Sequence, residues 1–294
     1  MVSEMAAASP SRTEVRSVEG NVYVAGDRIR YRIDGDGPPI VLLHGLGAAL
    51  ELWEPVVPRL EGFRVIRLDH PGSGRSSDPR ALPSVADYAA TALGALECLD
   101  VDSAAVAGLS FGGMVAQEMA HLAGHRVARL VLVNTCCGWG SVPGSPLALA
   151  AVATPLRYYS PAFMGLVAPL LYGGRGDGHV LTQQAEARQT NPPSLLGYGA
   201  QLAAAWTWSS RRYLRHLDVP TLVVAGDRDP VIPVENAAML ARAIPGARRH
   251  VVAQGGHLCM IDSADQTVPV ITAFLRETGY ASYASVDSAV GGRR

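Results

Sequence analysis

Ser110 lies in Gly108-Leu109-Ser110-Phe111-Gly112, between a β-branched apolar run and the helix-forming Met114-Val115-Ala116-Gln117-Glu118-Met119-Ala120. A G-x-S-x-G segment joining strand to helix is a turn too tight for side chains at Gly108 and Gly112. It lifts the serine onto a strained corner and aims the next backbone N–H at the same point. A serine hydroxyl is a poor nucleophile at neutral pH, so it needs a base, and the base needs an orienting acid. Two downstream segments, each following a strand-like run, supply them: Gly226-Asp227-Arg228-Asp229-Pro230 carries two aspartates, and Gly255-Gly256-His257 carries a histidine. His70, His216 and His250 are the competing bases. None follows a strand in the right place, and each reads as a solvated or hydrogen-bonded histidine.

The elements that must position these groups alternate along the chain. Residues 22–25 and 28–33 predict a hairpin around Gly26-Asp27. Short apolar strands follow at 39–43, 64–68, 103–109, 129–133, 221–225 and 249–252, with helical periodicity over 83–99 and near 263–277. Alternation of this kind predicts an α/β fold: a mainly parallel, eight-stranded sheet covered by helices on both faces, with reactive loops at the carboxyl ends of the strands.

One block breaks the rhythm. Residues 136–216 hold no good strand, several prolines and many large aromatic side chains, and they read as a helical cap inserted into a core formed by residues 14–135 and 217–279. Residues 1–13 and 280–294 are rich in Ala, Ser and Gly and read as tails. Trp139, Trp206 and Trp208 in the cap are candidates for the substrate pocket. Trp206 and Trp208 stand two positions apart and cannot share one face of a helix, so at most one of that pair should line the pocket.

Composition narrows the chemistry. The chain has 294 residues, 48% of them hydrophobic and 17% charged, enough for a large core. A net charge of −1 gives no electrostatic footprint for nucleic acid. All 25 of its Lys and Arg residues are arginines, which excludes lysine Schiff bases, pyridoxal phosphate and a P-loop lysine. Cys98, Cys136, Cys137 and Cys259 show neither zinc-site spacing nor a disulfide framework and read as small buried thiols in a reducing compartment. No metal or organic cofactor is implied. The first residues lack a signal peptide's pattern, and no apolar stretch has the length of a membrane span, so the expected location is the cytoplasm.

Five ordered motifs now stand together: Gly45-Leu46-Gly47, Asp69-His70-Pro71-Gly72-Ser73-Gly74-Arg75-Ser76, Gly108 to Gly112, Gly226-x-x-Asp229 and Gly256-His257. With the chain order Ser, Asp, His they resemble the α/β-hydrolase superfamily over about residues 20–278. The resemblance implies Asp229, the fourth residue of G-x-x-D, as the acid in place of Asp227. It also implies an oxyanion hole from the backbone N–H groups of Leu46 and Phe111, with His44 bracing that loop. A closer similarity, to the intracellular medium-chain poly(3-hydroxyalkanoate) depolymerases, is carried by Gly47-Ala48-Ala49-Leu50-Glu51-Leu52-Trp53, Thr154-Pro155-Leu156-Arg157-Tyr158-Tyr159, Leu171-Tyr172-Gly173-Gly174 and Ile232-Pro233. That family usually has Asn at the position of His44 and Trp at that of Phe111, departures that leave both backbone donors in place.

The expected activity is therefore cofactor-free hydrolysis of a carboxylic ester, small or polymeric, through Ser110, His257 and Asp229. Two other classes use the same scaffold: a lyase that expels an acyl group by elimination, and a non-catalytic receptor for a small apolar molecule. An aspartate in place of Ser110 would have indicated a haloalkane dehalogenase or epoxide hydrolase.

Overall fold

The computed structural model describes residues 17–174, 182 and 188–277. The expected tails, 1–13 and 280–294, lie outside the described residues. Eight strands form one sheet: β1 (Ser17–Val24), β2 (Asp27–Asp34), β3 (Pro39–Leu43), β4 (Arg64–Leu68), β5 (Ala104–Leu109), β6 (Val127–Val133), β7 (Thr221–Gly226) and β8 (Arg248–Val252). Their spatial order is β1-β2-β4-β3-β5-β6-β7-β8. The first two strands join by antiparallel pairing, and every pair from β4 to β8 is parallel.

The hairpin turn sits one residue earlier than its glycine suggested. Ala25 (φ 49°) and Gly26 (φ 89°) are its two central residues, and Asp27 already begins β2. A two-residue turn that matches the twist of its strands needs φ > 0 at both centres, which places the pair at Ala25-Gly26.

The central strands are buried on both faces, so they read as apolar runs without polar alternation. Val41 and Leu43 face one core with Val106, Leu130, Leu132, Val223 and Ala225. Ile40 and Leu42 face the other with Ala105, Ala107, Val131, Val133, Leu222 and Val224. The first core is covered by α1 (Val85–Cys98) and α2 (Phe111–Leu122). A full capping box, Ser84 with Asp87, fixes where α1 begins. The edge strand β8 presents Arg248 and Arg249 to solvent, charges that discourage pairing with another sheet.

Between β6 and β7 the described residues form helices and no strand: α3 (Pro146–Val152), α4 (Leu156–Tyr159), α5 (Pro161–Tyr172) and α6 (Leu195–Thr207). An isolated bridge from Gly138 to Ser209 joins the two ends of this excursion. After β7 come α7 (Glu235–Ala243), α8 (Cys259–Asp262) and α9 (Ala264–Arg276). The sequence pattern missed α7, a short helix that buries Asn236, Ala237 and Leu240 and whose apolar stripe includes a polar side chain.

Two buried arginines lock the amino-terminal strands to the loop after β3. Arg67, with no side-chain exposure, pairs with Asp34 (2.6 Å) and Glu54 (2.9 Å). Arg30 pairs with Glu19 and Glu51 (each 2.8 Å) and with Asp69 (3.3 Å). Asp69 in turn accepts the backbone N–H groups of Leu50 (2.7 Å) and Arg75 (2.9 Å).

Candidate active site

The turn after β5 is built as the glycines demand. Ser110 adopts φ 55°, ψ −117°, a conformation an L side chain rarely takes. A Cβ on Gly108 would stand 2.2 Å from the Gly112 carbonyl oxygen, and one on Gly112 would stand 2.1 Å from that of Leu43. The bend therefore closes only with glycine at both places. Ser110 N–H donates to the Val133 carbonyl (3.0 Å), and Thr135 Oγ1 donates to the Ser110 carbonyl (2.8 Å), so the strained corner is fixed from β6.

Three side chains from three strand ends converge. His257 Nε2 lies 3.2 Å from Ser110 Oγ, and His257 Nδ1 lies 2.8 Å from Asp229 Oδ2. Nδ1 facing a carboxylate carries the proton, which leaves Nε2 as the acceptor turned towards the serine. Asp229 Oδ1 accepts the backbone N–H groups of Val231 (2.8 Å) and Ile232 (2.9 Å), and its side chain is shut off from solvent. Asp227 is exposed and does not reach the imidazole. Of the two aspartates, Asp229 is the one within hydrogen-bond distance of His257.

The backbone N–H groups of Leu46 and Phe111 flank Ser110 and have no protein acceptor among the described residues. The Leu46 loop is held from below and above. His44, wholly buried, donates from Nδ1 to the Gly45 carbonyl (2.9 Å) and accepts the His70 N–H at Nε2 (3.2 Å). Tyr158 donates its hydroxyl to the Leu46 carbonyl (2.5 Å), and Gln201 accepts the Gly47 N–H (2.9 Å). Gln201 Nε2 also donates to the Pro71 carbonyl (3.1 Å) and Ser73 Oγ (2.8 Å), so one side chain of α6 joins two core loops.

Burial lowers the His44 pKa from the ordinary 6.5 to about 4. Between those values the unfolded chain binds a proton that the folded chain refuses, so folding stability declines as pH falls from 6.5 to 4. The expected loss is ~3 kcal/mol. Urea denaturation across this pH range should show a flatter dependence in His44→Gln than in the wild type. Equal slopes would show that His44 is not the neutral brace its two backbone partners require.

Among the residues that the sequence pattern missed, Asn134 contributes most. From the end of β6 its Nδ2 donates to the carbonyls of Gly256 (2.8 Å) and His257 (2.7 Å), and its Oδ1 accepts the Gly226 N–H (2.9 Å). One amide therefore registers the acid-bearing and histidine-bearing loops against each other. Its φ of 43°, a region that asparagine tolerates, is the backbone cause. The signal was an Asn directly after an all-apolar strand. Tyr172 acts similarly from α5: its carbonyl accepts the His257 N–H at 2.7 Å.

Two cavities meet at Ser110. The larger, of about 370 Å³, is mostly apolar and is lined by Met114, Leu149, Leu202, Trp139 and Trp206 among others. The smaller, of about 70 Å³, is lined by His257, Arg157, Arg188, Tyr158 and Tyr172 among others. Trp139 and Trp206 thus stand on the larger cavity, linked by a 2.7 Å hydrogen bond from Trp139 Nε1 to the Trp206 carbonyl. Trp208 does not line it. It lies one residue past the end of α6, is buried in the core beside α2 and donates its indole N–H to Glu118 (2.6 Å).

Comparison with known proteins gives a consistent result. The family described as alpha/beta hydrolase fold matches residues 38–169 and 181–264. Poly(3-hydroxyalkanoate) depolymerase of Ectopseudomonas oleovorans is 38% identical over 245 residues, covering 81% of this chain and 84% of that protein. The crystal structure of the enol-lactonase from Burkholderia xenovorans LB400 superposes with a TM-score of 0.75 at 27% identity, covering 88% of this chain and 100% of that one. A thermophilic esterase from Thermogutta terrifontis gives a TM-score of 0.74 at 26% identity, over 89% and 98% of the two chains.

Proposed function

The chain belongs to the α/β-hydrolase fold family, and on that premise we propose that it hydrolyses carboxylic esters through a Ser110 acyl-enzyme. One observation carries the reading: Ser110 Oγ, the His257 ring and Asp229 form an unbroken hydrogen-bonded line, with contacts of 3.2 and 2.8 Å.

In this mechanism Ser110 Oγ attacks the ester carbonyl while His257 Nε2 takes its proton. The developing oxyanion accepts the Leu46 and Phe111 N–H groups, donors each worth a factor of ~10² to 10³. His257 then returns the proton to the leaving alcohol. Water, activated by the same imidazole, releases the acid. Asp229 keeps the proton on Nδ1 and stabilises the imidazolium.

The apolar cavity suits a medium-length acyl chain, since each buried CH₂ contributes ~0.8 kcal/mol. The 38% identical relative, a poly(3-hydroxyalkanoate) depolymerase, supports an ester substrate. Intact-mass analysis after treatment with a fluorophosphonate tests the nucleophile: one adduct at Ser110 in the wild type and none in Ser110→Ala is the expected result. An adduct on a different serine would overturn the mechanism. Recovery of an alcohol from the ester, with no alkene, separates hydrolysis from elimination.

A further inference from the structure

We propose that the leaving half of the substrate is a short hydroxy acid, whose carboxylate is gripped by Arg157 and Arg188 in the small cavity beside His257. The inference rests on the ester-hydrolase reading and extends it to the alcohol side of the bond.

The first observation is an imbalance of charge. Arg157 and Arg188 are each only 8% exposed. Arg157 donates to carbonyl oxygens, those of Val152 (3.2 Å), Leu46 (3.3 Å) and Ala151 (3.4 Å), and its guanidinium lies over the rings of Tyr158 and Tyr198 and within reach of their hydroxyls. Arg188 donates to the Tyr172 hydroxyl and lies over the same ring. Neither meets a carboxylate among the described residues. By contrast, buried Arg30 faces three carboxylates and buried Arg67 two. A buried cation without a counter-ion is costly, and carbonyls and aromatic faces offset that only in part. An incoming carboxylate, acceptor of parallel N–H bonds, completes such a site.

The second observation decides which half of the substrate enters. Leu46, Ser110, Val152 and Val231 line both cavities, so the scissile bond can lie across their common wall. The leaving oxygen must take its proton from His257, and His257 lines the small cavity alone, whereas Phe111 lines only the large one. The acyl chain therefore occupies the large apolar cavity and the leaving alcohol the small one. The small cavity, about 70 Å³ against about 370 Å³ for the large one, leaves room on the alcohol side only for a short group such as a hydroxy acid of three to four carbons.

The reaction balances without any further reactant. The Ser110 Oγ–acyl bond forms, the acyl–oxygen bond breaks, and the hydroxy acid departs with the proton from His257. One water then cleaves the acyl-enzyme to give the free acid.

The test compares 3-decanoyloxybutyrate with its uncharged amide, 3-decanoyloxybutyramide. Wild-type kcat/KM should favour the carboxylate by about 100-fold, the scale of a charge-assisted hydrogen-bonded pair. In Arg157→Gln that ratio should fall at least tenfold, and Arg157→Lys should retain part of it. Because a ratio is read, a general loss of activity cancels. Independently of any variant, 3-hydroxybutyrate should inhibit the wild type competitively, and 3-hydroxybutyramide at least tenfold more weakly. If wild-type enzyme cleaves both esters equally, or if Arg157→Gln and Arg188→Gln both keep the full ratio, the carboxylate site is wrong and the ester reading stands. If no ester is cleaved and Ser110 takes no phosphonyl group, both fall together.

Discussion

Asp229→Asn will lower kcat on a 4-nitrophenyl ester by up to ~10⁴-fold, as loss of the correct tautomer does in serine proteases. The asparagine fits the site, which is why the effect is on chemistry and not on folding. Its Oδ1 can still accept the Val231 and Ile232 N–H groups that Asp229 Oδ1 accepts now. Its Nδ2 then faces His257 Nδ1 in place of the carboxylate oxygen that stands there at 2.8 Å. A donor at that point turns Nδ1 into an acceptor and moves the proton to Nε2, where it points at Ser110 and blocks base catalysis. Asp227→Asn alters an exposed side chain and should change kcat by less than about threefold, in keeping with surface substitutions generally. The reverse ranking, in variants shown to be folded by circular dichroism, would overturn the assignment of the acid.

Gly112→Ala is expected to remove more than ~3 kcal/mol of stability or to abolish folding, the scale of severe steric strain in a core. Its Cβ would stand 2.1 Å from the Leu43 carbonyl oxygen and 2.7 Å from that of His44, and both obstacles are backbone. Neither can withdraw without shifting β3, the strand that delivers the oxyanion loop. Gly199→Ala provides the contrast. That glycine lies in α6, exposed, with nothing within 4 Å of a built Cβ. There the substitution should stabilise by ~0.5–1 kcal/mol through helix propensity alone. Urea denaturation of both variants measures the difference. A Gly112→Ala protein within ~1 kcal/mol of wild type would mean that the turn after β5 is not pinched as described.

The features legible in the sequence were those with strong local causes. Gly108 and Gly112 announced the strained turn because no other residue fits, and the apolar runs of β3 to β7 announced a sheet buried on both faces. Ser110, Asp229 and His257 were legible as candidates because each lies in a loop that follows a strand, Ser110 directly after β5 and the other two a few residues past the ends of β7 and β8. What escaped was built from contacts distant in sequence. Gln201 meets Pro71 and Ser73 across the cap, and Arg157 meets Leu46, yet neither residue carries a local pattern that names its partner. Trp208 shows the opposite limit. Its aromatic character suggested a pocket wall, but its spacing from Trp206 already excluded both from one face, and only Glu118 decided which turned inward. The hairpin was misplaced by one residue because φ > 0 at Ala25 leaves no compositional trace.

The bridge between Gly138 and Ser209 closes the excursion between β6 and β7 at its own neck. The entropy of bringing those two chain ends together is thus settled by the neck and by the parallel β6–β7 pairing, and it rises only logarithmically with the length of chain enclosed. Added length beyond the neck therefore costs the fold little in chain-closure entropy, provided Tyr158, Tyr172 and Gln201 keep their contacts to the core loops, while Ser110, Asp229 and His257 all lie outside it. Under the proposed mechanism, the walls that choose a substrate can diverge through time while the atoms proposed to react stay where they are.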